Sequence, residues 1–224
     1  MAKLRYIGHS SFQVEYNDGT ILYIDPYFSA EGRDLPPALK DAHGIKKCDL
    51  IFITHEHHDH FEPDAVVEIA ERTWATVIGP SQVTEKLPLS QKVKVAVNPG
   101  DRFQMKGVSV EVVKAVHPQS DNPVGYIIEK DGLRIYNSGD TYEFMEMADI
   151  HCDWALIPIG GTYTMDVIGA EKAAKEIKAK YFVPTHYNTW ARIAQDGHEF
   201  AKTLIGTGKK TVLLRPGQEV ELIQ

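Results

Sequence analysis

Between Thr54 and Phe61 the chain reads THEHHDHF, which crowds His55, His57, His58, Asp59 and His60 into six consecutive positions. The run before it, Leu50 to Ile53, is apolar, so the imidazoles begin where a buried segment ends. The residue four beyond His55 is Asp59 rather than a histidine, which excludes the helical H-E-x-x-H arrangement. His55 and His57 are two apart, a spacing that lets an extended or turning backbone point both rings the same way. Asp59 and His60 form a second, adjacent pair just before a helical pattern. Two pairs imply two metal ions.

The same punctuation recurs along the chain. Strand-like apolar runs end at His9, Asp25, His55, His117, Asp140 and His186. If those strands share a direction within their sheets, their ends form one rim on which the side chains converge. His9 and Asp25 are read as turn residues or as partners that hold the ligands from behind. The other positions are read as ligands.

Short strand patterns dominate the rest. KLRYIG, SFQVEY and TILYID open the chain, with NDG as the hairpin turn between the last two. DLIFIT, ATVIG, KVKVAV, RFQMKG, VSVEVVKAV, VGYIIEK, LRIYN, DWALIPI, YFVPT, TVLLR and EVELI follow as further strands. Helical spacing is predicted over residues 62–73, where Ala65, Val66, Ile69 and Ala70 recur and Pro63 suits a first turn. Two more helices are predicted over 169–179 and near 192–205. Each half runs strands first, then strand and helix in alternation, which predicts layered α/β packing with helices outside the sheets. Residues 29–47 form the one long connection, either a lid or a surface excursion.

Composition narrows the function. At 43% hydrophobic and 25% charged residues the chain is globular, and no apolar run reaches the roughly 18 residues that span a bilayer. The opening residues lack the pattern of a signal peptide, so a cytoplasmic protein is expected. The net charge of -7, without a basic run, argues against polymeric nucleic acid as partner. Cys48 and Cys152 adjoin apolar strands and read as free thiols.

With these residues in place, the sequence resembles the metallo-β-lactamase-fold hydrolases. Thr54 to His60 match the family pattern T-H-x-H-x-D-H, and His117, Asp140 and His186 answer in order the lone His, bridging Asp and final His that follow it. GHSSF, IDPY, SGDT, IPIGG and PTHYNTW narrow the resemblance to a small branch of metal-dependent hydrolases related to L-ascorbate-6-phosphate lactonase. The resemblance spans essentially the whole chain. It implies one domain over residues 1–224 with the four-layer αββα sandwich. It assigns His55, His57 and His117 to one metal, Asp59, His60 and His186 to the other, and Asp140 as the bridge. His58 falls at the variable position and is read as a non-ligand, and His43, His151 and His198 match nothing. Histidine rather than glutamate at position 57 fits the hydrolytic branches over the diiron flavoproteins, with zinc expected and Mn, Fe or Ni compatible.

The implied reaction is attack by a metal-bridging hydroxide on a small substrate, a lactone, ester or phosphoester, with Asp59 and Asp140 as catalytic residues. Two divalent ions against Asp59, Asp140 and a hydroxide leave a charge of about +1, which favours an anionic substrate. Tyr163, Thr164 and Arg192, with Thr162, are candidate pocket residues, Tyr163 as a donor to the leaving group. Competing readings are a phosphodiesterase or nuclease on the same fold, a mononuclear-iron enzyme of oxygen or sulfur chemistry, and a non-catalytic metal module. Assembly into a homo-oligomer is left open.

Overall fold

The computed structural model describes residues 2–224. Among the described residues, fourteen strands fall into two seven-stranded sheets. The first contains β1 (Ala2–Gly8), β2 (Ser11–Tyr16), β3 (Ile21–Ile24), β4 (Leu50–Phe52), β5 (Thr76–Gly79), β6 (Lys94–Ala96) and, on its outer side beside β1, the last strand β14 (Glu219–Leu222). The second contains β7 (Arg102–Met105), β8 (Val108–Lys114), β9 (Val124–Lys130), β10 (Leu133–Asn137), β11 (Trp154–Pro158), β12 (Tyr181–Thr185) and β13 (Lys210–Thr211), lying side by side in chain order. Each sheet begins with antiparallel neighbours and continues with parallel ones. The switch falls at β3 in the first sheet and at β10 in the second. The repeated plan read from the pattern of runs is therefore a repeated topology.

Three apolar layers hold the sheets and helices together. Phe12, Leu22 and Phe52 of the first sheet meet Tyr126, Ile135 and Trp154 of the second in the central layer. Ile51 and Val77 point the other way, onto Val66 and Ile69 of α1 (Pro63–Thr73). Ala155, Ile157 and Phe182 pack against Ala170, Ala173 and Phe200, which belong to α3 (Val167–Glu176) and α4 (Gly197–Thr203). The central strands are buried on both faces, which is why WALIP and YFVPT carry apolar residues without alternation. The result is a helix, sheet, sheet, helix sandwich. A short helix, α2 (Ser81–Thr84), lies between β5 and β6.

Two expected elements differ. The helix expected over 192–205 is confined to α4. Asn188 accepts the Gln195 amide through its side chain at 2.9 Å, and Asp196 caps the new start by accepting from the His198 amide at 2.8 Å. Side-chain acceptors thus divert the backbone from a longer helix. The strand expected over 211–215 pairs only at its start, because the chain must leave the second sheet and reach Tyr6, whose carbonyl takes the Gly217 amide at 2.8 Å.

Sheet directions decide the position of the site. β1 runs antiparallel to β2 and β2 to β3, so β1, β3 and β4 point the same way. By the same logic β8, β10 and β12 point the same way in the second sheet. His9, Asp25 and His55 therefore follow one set of strand ends, and His117, Asp140 and His186 follow the other. The two rims are tied by the His186 amide, which donates to the His9 carbonyl at 3.0 Å, and by the Val124 amide, which donates to the Thr54 carbonyl at 3.0 Å.

Candidate metal centre and active site

His9, Asp25 and His186 all leave their strands with positive φ, 59°, 43° and 53°. Non-glycine residues pay a conformational cost there, and such residues gather where packing and function dictate the backbone. His186 is held further by Gly160, where an added Cβ would lie 2.1 Å from the His186 carbonyl oxygen. Only a residue without a side chain lets β11's exit pass so close.

His55, His57 and His117 converge. His57 Nδ1 lies 3.1 Å from His55 Nε2 and 3.1 Å from His117 Nε2. Their other nitrogens fix the tautomers. His57 Nε2 donates to the Gln119 carbonyl at 3.0 Å, and His117 Nδ1 donates to the Tyr163 carbonyl at 3.2 Å. Carbonyls only accept, so each of these nitrogens carries the ring's hydrogen and the facing nitrogen carries a lone pair. His55 Nδ1 lies 3.0 Å from the Thr54 hydroxyl, which itself donates to Asp25 Oδ2 at 2.7 Å, so His55 Nε2 is also a lone pair. Three lone pairs aimed at one point repel each other unless a cation lies among them.

Asp59, His60, His186 and Asp140 form the neighbouring cluster. Asp140 Oδ2 is 3.2 Å from His186 Nε2, 3.9 Å from His55 Nε2 and 4.0 Å from His117 Nε2, so one carboxylate oxygen faces both groups. Asp140 Oδ1 is 3.2 Å from His60 Nε2, yet both atoms are buried without hydrogen-bond geometry. Asp59 Oδ2 is 3.7 Å from His186 Nε2 and accepts from His9 Nε2 at 3.2 Å. His9 Nδ1 meets the Thr189 hydroxyl at 2.8 Å. Asp25, wholly buried, accepts from His60 Nδ1 at 2.8 Å and from the Thr54 amide at 2.8 Å. The orphaned His60 and Asp140 atoms and the three converging lone pairs fit divalent cations, and nitrogen with carboxylate donors suits zinc and its neighbours.

Charge is divided unevenly. Burial and nearby His60 hold His55 well below the ordinary imidazole value, and burial also lowers His117. Burial opposes charge on His186, but Asp140 and Asp59 outweigh it and lift the group to about 9. His60 is lifted too, by Asp140 and Asp25 against burial. Burial, aided by His186, pushes His9 down to about 3. Against burial, His186 and His60 hold Asp140, and His186 and His9 hold Asp59, well below the carboxylate range.

Comparison with known proteins shows the family. Residues 3–186 match the beta-lactamase superfamily domain. A UPF0173 metal-dependent hydrolase of Thermococcus kodakarensis is 38% identical over 236 residues, spanning 99% of this chain and 100% of the relative. The chain belongs to the UPF0173 metal-dependent hydrolases. A second UPF0173 member, from Pyrococcus furiosus, is 37% identical over 99% of this chain and 100% of its own. A metallo hydrolase from Ignicoccus hospitalis superposes with a TM-score of 0.84 at 35% identity, covering 98% of this chain and 97% of that one. The fold is that of the metallo-β-lactamase superfamily, and the enzyme is a metal-dependent hydrolase.

In this UPF0173 chain the cluster opens into a cavity of about 620 Å³. Asp59, Asp140, His57, His117 and His186 reach its floor, while Thr162, Tyr163, Trp190, Arg192 and Ile193 form its walls. Tyr163 is 49% exposed and contributes twice, its carbonyl to His117 and its side chain to the wall. Arg192 is exposed at the mouth, with its carbonyl accepting from the Thr162 hydroxyl at 2.9 Å. Thr164 does not reach the cavity: it is buried, and its hydroxyl turns to the Met165 carbonyl at 3.3 Å. The chain reverses at Tyr163, φ 66°, so neighbouring residues of TYT face different ways. His58 is exposed at the cavity edge and sits edge-on to Tyr27. His43, His151 and His198 are exposed and remote from the cluster. No helix among the described residues is long and apolar enough to cross a membrane.

Sequence reasoning gave no role to Thr54, Gln119, Thr189, Trp190 or Arg33. Gln119 acts through its carbonyl, which leaves no signature in the letters. Trp190 lay within the quoted PTHYNTW and Arg33 within the long connection, but their partners are set only by folding.

Proposed function

We propose that this chain hydrolyses a small anionic lactone, ester or phosphoester with two divalent ions, zinc foremost, held in one domain over residues 1–224. The observation that carries the reading is the convergence of three imidazole lone pairs from His55, His57 and His117 beside the Asp59, His60, His186 and Asp140 cluster. His55, His57 and His117 would hold one ion, Asp59, His60 and His186 the other, with Asp140 between them. Such ions, when bound, acidify water from pKa 15.7 toward about 7 and polarise an electrophilic oxygen.

The chain's own residues supply the rest. Asp59 lines the cavity and is fixed by His9, so it can orient the attacking water. Tyr163, which lines the cavity, would donate its phenolic proton to a leaving oxygen. Trp190 and Ile193 give an apolar surface that keeps bulk water away from the substrate's body. Arg192 at the mouth favours an anionic group.

The motif resemblance to L-ascorbate-6-phosphate lactonase puts phosphorylated sugar lactones first in a substrate panel. The deciding experiment is metal analysis of the purified protein with that panel run on the same metal-loaded sample. About two equivalents of metal and turnover that disappears on chelation are expected. A protein that takes up no divalent ion would overturn the reading.

A further inference from the structure

Arg33 lies in the long 29–47 connection and is only 8% exposed. Its Nε, Nη1 and Nη2 are all buried and meet no hydrogen-bond acceptor among the described residues. Burying a guanidinium with five N–H donors unanswered is costly, and a native chain keeps such a group when something else supplies the acceptors. The guanidinium carbon sits 4.1 Å from the Tyr27 ring centroid and 5.7 Å from that of Trp190. Those ring faces stabilise the charge, and the Tyr27 phenol oxygen acts on it too, but none of the three nitrogens makes a hydrogen bond of normal geometry.

The position points to the active site. Trp190 walls the cavity and packs edge-on at 4.9 Å against His9, which holds Asp59. Burial lowers the Arg33 group, and Tyr27, then Tyr6 and lastly Asp59 act against that. The Arg33 segment is pinned beside Trp190, since the Asp34 amide donates to the Thr189 carbonyl at 2.7 Å. Arg33 therefore stands behind the Trp190 ring, which walls the cavity and packs on His9, the partner of Asp59.

We propose that Arg33 is the residue that selects the substrate, gripping an oxyanion on it, a carboxylate or a phosphate, when the Trp190 ring turns aside. This rests on the reading of the cavity as a hydrolase site. The planar fork of a guanidinium matches two oxygens of such a group, which a lysine ammonium does not reproduce. Residues 29–47 thus carry a recognition element and are more than a surface excursion.

The test uses metal-loaded wild type, R33M and R33K. Binding of inorganic phosphate and of acetate is measured by calorimetry. Turnover is measured on nitrophenyl esters that differ only in bearing a terminal carboxylate, a terminal phosphate or neither. R33M should weaken phosphate or acetate binding by about tenfold or more, with R33K recovering only part of it. The ratio of kcat/KM for the charged over the neutral ester should fall by a similar factor, through KM. The probe that loses more identifies which oxyanion the site takes. Unchanged binding of both probes in R33M, or equal losses on charged and neutral esters, would overturn the proposal. Should R33M fail to fold, wild-type binding by R33K would overturn it instead. If wild type hydrolyses no ester, the hydrolase reading fails, while the binding measurements still decide the role of Arg33.

Discussion

Asp25 and His60 share a hydrogen bond of 2.8 Å in which both side chains are wholly shut off from solvent, and the same carboxylate oxygen takes the Thr54 hydroxyl at 2.7 Å. Because that hydroxyl also meets His55 Nδ1, one carboxylate sets the tautomers of a histidine in each half of the centre. Asp25→Asn keeps the shape but loses acceptor capacity. Its metal affinity should fall by roughly 10- to 100-fold, the usual cost of losing such a partner. Metal content after dialysis against graded chelator measures this, and wild-type retention would refute it.

Asp140 presents one oxygen to His60 and the other to His186, His55 and His117. Asp140→Ala should abolish turnover and lower metal content together. Full activity in that variant would rule out a shared carboxylate.

Gly160 faces the His186 carbonyl so closely that an added Cβ would stand 2.1 Å away. Gly160→Ala must displace either β11's exit or His186. A loss of about 1–3 kcal/mol in chemical denaturation is expected, the usual cost of overpacking. Metal uptake through His186 should weaken in parallel, and a neutral outcome in both measurements would count against this placement.

Protons and metal compete unequally in the two halves. His55 and His117 are held below the ordinary imidazole value, so at neutral pH they present lone pairs without releasing a proton. His186, raised to about 9 chiefly by Asp140 against burial, is protonated at neutral pH in the metal-free protein and must release that proton to ligate. Affinity of the Asp59, His60 and His186 half should therefore climb as pH rises from about 6.5 to about 9, close to tenfold per unit for this proton. The His55, His57 and His117 half should fill first at pH 7. Zinc titrations at pH 6, 7.5 and 9, with proton release read from buffers of different ionisation heat, would reveal two indistinguishable affinities at every pH if this is wrong.

The cluster was legible because groups able to hold a metal need particular atoms, and those residue types stand out where apolar runs end. His55, His57, His117, Asp140 and His186 could be singled out one by one, and the helix over Pro63–Thr73 followed from its apolar spacing. The helix near 192–205 was overdrawn because Asn188 and Asp196 side chains compete for backbone amides, a contact that spacing does not reveal. That Thr164 turns away from the cavity follows from the reversal of the chain at Tyr163, which TYT does not reveal.

The sequence by itself determined which side chains can ligate, the layered alternation of strands and helices, and the absence of a basic surface run. Those follow from residue chemistry and local periodicity, which need no knowledge of distant neighbours. Only the tertiary structure decided that the strand ends of two sheets face each other across one site, which tautomer each histidine holds, and that Arg33 lies behind Trp190 without an acceptor. Strand direction, carbonyl position and burial depend on residues far apart in the chain, and folding alone brings them together.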